Sequence, residues 1–308
     1  MIPKINFKYS ENPYYVVWIK ILIPFVKKIL TKRSNFFLKI NDVISQRPLI
    51  DGTYEPHLRE LYSSLSRDGF NDFYIDIGAN VGLSSILVGY EFKLLYLFEP
   101  NPLIFKILEV NASLNLDKDR YQLFNYGLGN LNDNLEIMIP KNNWGGAFIV
   151  SKDNHYEESL LASKDGFSSL KSCNYIKLNA KIKKTSTEIK KIFTNIYQKE
   201  GRNGIIKIDV EGFEEVVLKG IASAIPGDSS VVIIFENWNE KFNINEVTDS
   251  FNNRASAFKV NRDSKKHWPA LIKNLFLLFG GKYLYSLKKI EEVSSFTGDL
   301  VLYIKKID

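Results

Sequence analysis

The sequence predicts an α/β fold: a doubly wound, mostly parallel sheet with helices on both faces. Three observations predict it. Short apolar runs of strand length alternate with helical patterns through most of the 308 residues, as successive β–α units do. The run Phe73-Tyr74-Ile75-Asp76-Ile77 passes through Gly78, Asn80 and Gly82 into an apolar helical pattern, which reads as a strand, a tight turn and a helix start. The next apolar run, Leu94 to Phe98, ends in Glu99, about 20 residues beyond the glycine turn, where doubly wound folds place an acid.

Taken in order, residues 1–50 read as a basic, mainly helical arm. Trp18, Ile21, Leu22, Phe25, Val26, Ile29 and Leu30 recur at helical spacing, and Pro24 kinks or divides that helix. Such an arm either packs on the main domain or lies on a membrane surface. The pattern changes at residue 51, and 51–243 reads as the core. A helix is expected from Glu55 to Leu65, with an exit turn at Arg67-Asp68-Gly69. Strand 73–77 leads to helix 82–90 and strand 94–98 to helix 102–113, followed by strand 121–126 and a short strand 136–139. Residues 140 to about 172, with Asn142-Asn143-Trp144-Gly145-Gly146, read as an irregular loop, more often functional than decorative beside a ligand edge. Helix 185–199 precedes strand 204–208, and helix 213–222 precedes strand 230–235. Right-handed crossovers then bring the strand C-termini to one edge, where ligands bind. Residues 244–308 read as strand 255–261, an apolar-basic helix 268–279, a Gly280-Gly281 break and strands 283–290 and 299–305, completing the sheet or the acceptor site.

An apolar fraction of 45% over this length supports a sizeable core. The one cysteine, Cys173, excludes an intramolecular disulfide and fits a reducing compartment. His57, His155 and His267 are too scattered for zinc spacing, and His57 reads as a surface residue. No uninterrupted apolar run is long enough to span a membrane, and the start lacks the plan of a secretory signal. A cytoplasmic location follows, with the inner membrane face as an alternative. The net charge of +6 is concentrated in the arm, between Lys171 and Lys191, and between Arg254 and Lys266. Those clusters are either a solvated face or an attraction for anionic partners.

The glycine pattern separates cofactors. A dinucleotide turn needs G-x-G-x-x-G for approach to a pyrophosphate, whereas this chain has D-x-G-x-N-x-G, with Asn80 and Leu83 at the other glycine positions. That suits a cofactor with an adenosine end and an amino-acid end but no phosphate, such as S-adenosylmethionine. A third cue is Ile205-Ile206-Lys207-Ile208-Asp209-Val210-Glu211-Gly212-Phe213, a strand ending in Asp209, and the strand from Val231 to Phe235 likewise ends in Glu236-Asn237-Trp238. Acids at strand ends often cap the following helix, but Gly212 and Phe213 separate Asp209 from the helix start.

In this order and spacing, Asp76-Ile77-Gly78-Ala79-Asn80-Val81-Gly82, Phe98-Glu99-Pro100-Asn101-Pro102, Asn111 with Asn115, and Lys207 to Glu214 resemble the FkbM family of methyltransferases over roughly residues 51–240. The resemblance implies a class I methyltransferase fold of Rossmann-like type, S-adenosylmethionine as cofactor, and O-methylation of sugar or secondary-metabolite hydroxyls.

The expected roles follow. Gly78, Asn80 and Gly82 admit the methionine part, Asp76 orients that turn or the ammonium, Glu99 takes the ribose hydroxyls, Asn101 and Asn125 lie near the adenine, and Glu55 closes over the cofactor. Asp209, supported by Glu211, is the candidate base, while Trp144, Glu236 and Asn237 face the acceptor. A hydroxyl is a poor nucleophile until its proton is removed, and either a carboxylate or Mg²⁺ held by Asp209, Glu211 and Glu236 can assist. The acceptor is expected to be a saccharide, such as a cell-envelope polysaccharide or its precursor. The alternatives are a small-molecule methyltransferase of secondary metabolism and a catalytically silent protein that binds membrane through its arm. No nucleic-acid partner is expected, because the motif of base-amine methylation is absent and the aromatics fall at core-like positions.

Overall fold

The computed structural model describes residues 36–39, 54–154, 156–164, 169–239, 242–262, 267–269, 271–272, 285–290 and 297–307, all within a unit running from Phe36 to Asp308. Most of the N-terminal arm and most of the helix expected over 268–279 lie outside the described residues. No helix among the described residues is long and apolar enough to cross a membrane.

The chain enters the core through α1 (Pro56–Arg67), then builds β1 (Phe73–Ile77), α2 (Leu83–Val88), β2 (Leu94–Phe98), α3 (Pro102–Asn115) and β3 (Tyr121–Phe124). After an excursion it returns as α5 (Thr185–Gln198), β8 (Asn203–Ile208), α6 (Glu214–Ala222), β9 (Ser230–Asn237) and α7 (Ile244–Ser250). It ends in β10 (Ala255–Arg262), β11 (Tyr285–Lys289) and β12 (Gly298–Ile304). The main sheet runs β11-β10-β12-β9-β8-β1-β2-β3. Strands β3, β2, β1, β8 and β9 are parallel, and β12 lies antiparallel between β9 and β10. Successive strands step outward in one direction from β1 and in the other from β8. The switch point that opens a ligand crevice in such sheets therefore lies between those two strands.

Alternation along β1 sets the layers. Phe73, Ile75 and Ile77 join a core cluster with Ile189 and Phe193 of α5 and Val217, Leu218 and Ile221 of α6. Tyr74 faces the other way, onto Leu58 and Tyr62 of α1. On that second face Ile86 of α2 and Leu108 and Ala112 of α3 cover Leu95 and Leu97. Every residue of β1 and β2 is buried, which explains why their sequences are apolar apart from Asp76 of β1. Each fully buried Leu, Ile or Phe side chain contributes about 1.5–3 kcal/mol.

The excursion between β3 and α5 is more ordered than its sequence suggests. It holds β4 (Gly127–Gly129), β5 (Asp133–Pro140), β6 (Phe148–Ile149), α4 (Glu158–Lys164) and β7 (Tyr175–Lys184), with a second sheet in the order β4-β7-β5-β6. The short strand expected over 136–139 is part of the longer β5, and strand 121–126 ends at Phe124. In β7, Ile176, Leu178, Ala180 and Ile182 face the core cluster, while Lys177, Asn179 and Lys181 are exposed. Those lysines read as a charge cluster in the sequence, and they are the outer face of an alternating strand.

Gly78 has φ 89°, and a Cβ there would stand 1.9 Å from the Asp209 carbonyl oxygen. Gly69 has φ 95° with open space around its Cβ position. Gly69→Ala is expected to cost about 1–2 kcal/mol from left-handed strain alone. Gly78→Ala adds about 1–3 kcal/mol more because the Asp209 segment must move. Urea unfolding of the two variants checks this, and equal losses would show that the turn and the Asp209 segment are not in contact.

Candidate functional site

At the C-terminal edge of the parallel strands lies a cavity of about 400 Å³, within the roughly 300–1,000 Å³ of ligand pockets. Residues 78–81, Glu99 and the Asp209–Glu211 segment form one part of its wall, and Tyr54, Glu55, Glu236 and Trp238 close another. The second sheet supplies an apolar wall of Leu128, Ile137, Phe148, Ile149 and Ile182, and Trp144 lies in the loop beside it.

The turn after β1 is built from backbone. The Gly78 and Ala79 N–H groups both donate to the Phe98 carbonyl, at 3.0 and 2.8 Å. Asn80 adopts φ 51°, a left-handed conformation that Asn tolerates better than most residues. Its N–H donates to Glu99 Oε2 at 2.9 Å, while the Asn101 N–H donates to Oε1 at 2.7 Å. Glu99 is buried. Burial pushes its carboxyl up to about 7, against the pull of those two N–H donors.

Lys207 is the site residue that the sequence reading passed over. Asp76 of β1 and Lys207 of β8 are register partners, both turned toward the α1–α2 face. The Lys207 ammonium stands 3.3 Å from Asp76 Oδ1 and 3.0 Å from Asp209 Oδ2. Burial alone would lower its pKa, but the Asp209 and Asp76 carboxylates outweigh this and hold the ammonium charged. A signal was present: a lysine inside an apolar strand, level with an aspartate inside the neighbouring one. Asp209 itself is anchored by its N–H to the Ile77 carbonyl at 2.8 Å, with its side chain 44% exposed at the cavity.

Glu55 precedes Pro56 at φ 42° and ψ 64°. A pre-proline residue is normally extended, so this left-handed conformation is strained, as functional sites often are. Burial, then the charge of Asp209, pushes the Glu55 carboxyl up to about 8.

Eight of the expected site residues line the cavity: Glu55, Gly78, Asn80, Glu99, Trp144, Asp209, Glu211 and Glu236. The other five are not among the lining residues. Asp76 is fully buried beside Lys207. A Cβ on Gly82 would strike Ile86 and Leu108, so this glycine serves helix packing. Asn101 caps α3 by accepting from the Leu103 N–H at 3.0 Å and holds the loop by donating to the Trp144 carbonyl at 3.1 Å. Asn125 donates to the Glu99 carbonyl at 2.9 Å. Asn237 exchanges hydrogen bonds with the Asn239 backbone. Asp209, Glu211 and Glu236 are not gathered as ligands: among the described residues no three His, Cys, Asp or Glu side chains are grouped to hold a metal ion.

Removing one partner of a buried ion pair leaves an uncompensated charge. Lys207→Met is therefore expected to cost about 3–5 kcal/mol. Adding Asp76→Asn to it should recover a measurable part in urea unfolding, and no recovery would count against the pair. The raised carboxyls give a pH dependence. With folded values of about 8 for Glu55 and about 7 for Glu99 against the ordinary 4.5, both bind more protons folded than unfolded. Their stabilising contribution is complete below about pH 4.5 and is lost as pH rises through 7 to 8. Glu55→Gln should therefore gain stability relative to the unsubstituted protein over that range, measured by thermal unfolding at several pH values.

The model of the methyltransferase FkbM domain matches residues 76–258. Methyltransferase sdnD of Sordaria araneosa is 27% identical over 157 residues, which are 49% of this chain, and the match spans 61% of that relative's length. Among solved structures, a SAM-dependent methyltransferase from Agrobacterium tumefaciens aligns at 7% identity and a TM-score of 0.37, covering 81% of this chain and 61% of that one. An rRNA methylase from Streptococcus thermophilus aligns at 8% identity and 0.37, covering 80% and 95%. With the family pattern matched from Asp76 of the glycine turn through both acidic strand ends to β10, the chain belongs to the FkbM family of methyltransferases.

Proposed function

We propose that the protein is an O-methyltransferase that uses S-adenosylmethionine to methylate a hydroxyl of a neutral saccharide, such as a precursor of a cell-envelope polysaccharide. The observation that carries this reading is one cavity lined by Glu99 and the Gly78–Asn80 turn together with the half-exposed carboxylate of Asp209. The lining fits the cofactor. Each Glu99 oxygen accepts one backbone N–H, and a carboxylate has about four acceptor sites, so lone pairs remain for two ribose hydroxyls. Gly78 leaves the turn without a side chain where the methionine part would lie.

When bound, the cofactor supplies an electrophilic methyl on a sulfonium. The protein's task is to hold the acceptor oxygen about 3–3.5 Å from that carbon, in line with the leaving sulfur. Asp209 accepts the hydroxyl proton, a contribution of about 10²–10⁴-fold. Lys207 fixes the carboxylate that does so. Trp144 and Trp238 offer aromatic faces to the C–H surface of a sugar ring, and Glu211 and Glu236 accept from neighbouring hydroxyls. With Glu55 and Glu99 held partly protonated by burial near neutral pH, the described lining still carries Asp209, Glu211 and Glu236 against the single ammonium of Lys207. This balance supports a neutral acceptor over a phosphorylated sugar or a nucleic-acid backbone. The reading carries with it a cytoplasmic location, where the cofactor is made, and leaves the basic arm as a possible contact with the inner membrane face.

Calorimetric titration with S-adenosylmethionine and its demethylated product tests the cofactor site. Micromolar-range binding is expected, at least tenfold weaker in Glu99→Ala; unaltered binding by that variant would remove the cofactor assignment. With a neutral sugar acceptor found by mass spectrometry, Asp209→Asn should keep cofactor affinity and lose about 10²–10⁴-fold in kcat. Unchanged turnover would remove the base assignment.

A further inference from the structure

The second sheet reaches the acceptor side of the cavity through two residues that follow β6. The Asn154 side-chain amide donates to the Ile149 carbonyl at 3.0 Å and to the Glu211 carbonyl at 2.9 Å. Its Oδ1 accepts the Tyr156 N–H at 2.9 Å, so both ends of the amide are used. Gly212 lies against it at φ 86°, where a Cβ would come within 2.0 Å of Asn154 Oδ1. The Tyr156 ring is buried among Met138, Phe148 and Leu161, which belong to the second sheet and α4. Its hydroxyl reaches out of that cluster. It donates to Glu214 Oε1 at 3.1 Å and accepts the Trp238 N–H at 3.3 Å. The same Glu214 oxygen accepts the Gly212 N–H at 3.4 Å. One hydroxyl and one carboxyl therefore join the segment after β8, which carries Glu211, to the end of β9, which leads into Trp238. Glu214 is buried, and burial pushes its carboxyl well above the ordinary range. Such a group is costly for folding alone, and its partners here are the two strand ends that line the cavity.

We propose that Asn154 and Tyr156 are positioning residues for the acceptor: they set Glu211 and Trp238 in relation to each other, so that the second sheet fixes the shape of the acceptor wall. The inference rests on the hydroxyl-methylation reading above, which puts Glu211 and Trp238 against the acceptor. The rest of the site has supports of its own. Glu99 is held by the Asn80 and Asn101 N–H groups, and the glycine turn hangs on the Phe98 carbonyl. Asp209 is held by Lys207 and by its own N–H to Ile77. Loss of the Tyr156 hydroxyl therefore leaves the cofactor wall and the base in place and loosens the acceptor wall. An acceptor gripped less well before and during the reaction alike shows a raised KM with little change in kcat.

Tyr156→Phe keeps the ring in its cluster and removes the hydroxyl. The chain has 4 tryptophans, so NMR of the full-length protein labelled in tryptophan nitrogen resolves their backbone amides, with Trp238 assigned by its loss in Trp238→Phe. The Trp238 amide proton is expected to move upfield in Tyr156→Phe as its hydrogen bond is lost, with the Trp144 amide unmoved. An unmoved Trp238 amide overturns the positioning. In turnover of the sugar acceptor, Tyr156→Phe should raise the acceptor KM about tenfold with kcat and cofactor Kd unchanged. An unchanged acceptor KM, or an equal loss of cofactor affinity, also overturns it. Leu161→Ala loosens the same cluster without touching the hydroxyl, and should lower the melting temperature while leaving the acceptor KM as it was. A KM raised as far as in Tyr156→Phe would reduce Tyr156 to packing. If the Trp238 amide responds but no hydroxyl is methylated, the positioning stands for a different acceptor group and the hydroxyl reading falls.

Discussion

One buried ammonium organises the centre of this protein. Lys207 bridges β8 to Asp76 of β1 and to Asp209 at its own strand end. Those are the two strands between which the sheet changes direction. Placing a charge there is costly unless its partners are well positioned. The parallel register does this by setting Asp76 opposite Lys207 and delivering Asp209 two residues later. The turn at Gly78 then packs its backbone against the Asp209 carbonyl, with no room for a side chain. Ion pair and turn therefore constrain each other, and Lys207, Asp209 and Gly78 from them line the main cavity.

The second sheet complements this fixed centre. Its apolar residues line the cavity, and its loops are tied to the main fold by side-chain amides. Asn101 holds the Trp144 carbonyl, and Asn154 donates to the carbonyls of Ile149 and Glu211. On the outer side of the glycine turn, the Asn111 amide binds the Phe37 backbone in both directions and reaches the Val81 carbonyl. Lys39, next along that segment, lies 5.0 Å over the Trp144 ring. Elements from distant parts of the chain thus meet at one cavity rim, each held by a side-chain amide satisfied on two sides.

The parts of this arrangement that were legible in sequence are those governed by local pattern. Predominantly apolar runs marked β1, β2, β8 and β9, and the acids at their ends marked the ligand edge. Glu99, Asp209, Gly78 and Asn80 were placed at that edge this way, and all four line the cavity. The rest depends on contacts between distant residues. Nothing local distinguishes Asn101, which holds a loop, from an asparagine that touches a ligand. At Gly82 the left-handed φ of 88° itself calls for glycine, and the further demand from Leu108 on the next helix is not visible locally. Strand β7 did carry a period-two signal, hidden because its outer positions are lysines that also read as a charge cluster. Lys207 was overlooked because a lone lysine in a strand is informative only once the register supplies its partner.

The site holds several features that the folded state tolerates at a cost. Glu55 is strained before a proline, and Glu99 and Glu55 are carboxyls raised by burial. Each would be exchanged for something more stable if folding alone were at stake. Under the proposed reading, a ligand with two vicinal hydroxyls and a positive centre would relieve part of that cost by supplying hydrogen bonds to Glu99 and favourable charge to the surrounding carboxylates. Binding to the folded state alone then returns the stability as affinity. The sheet and its covering helices provide the margin, and the cavity edge is where that margin is converted into recognition.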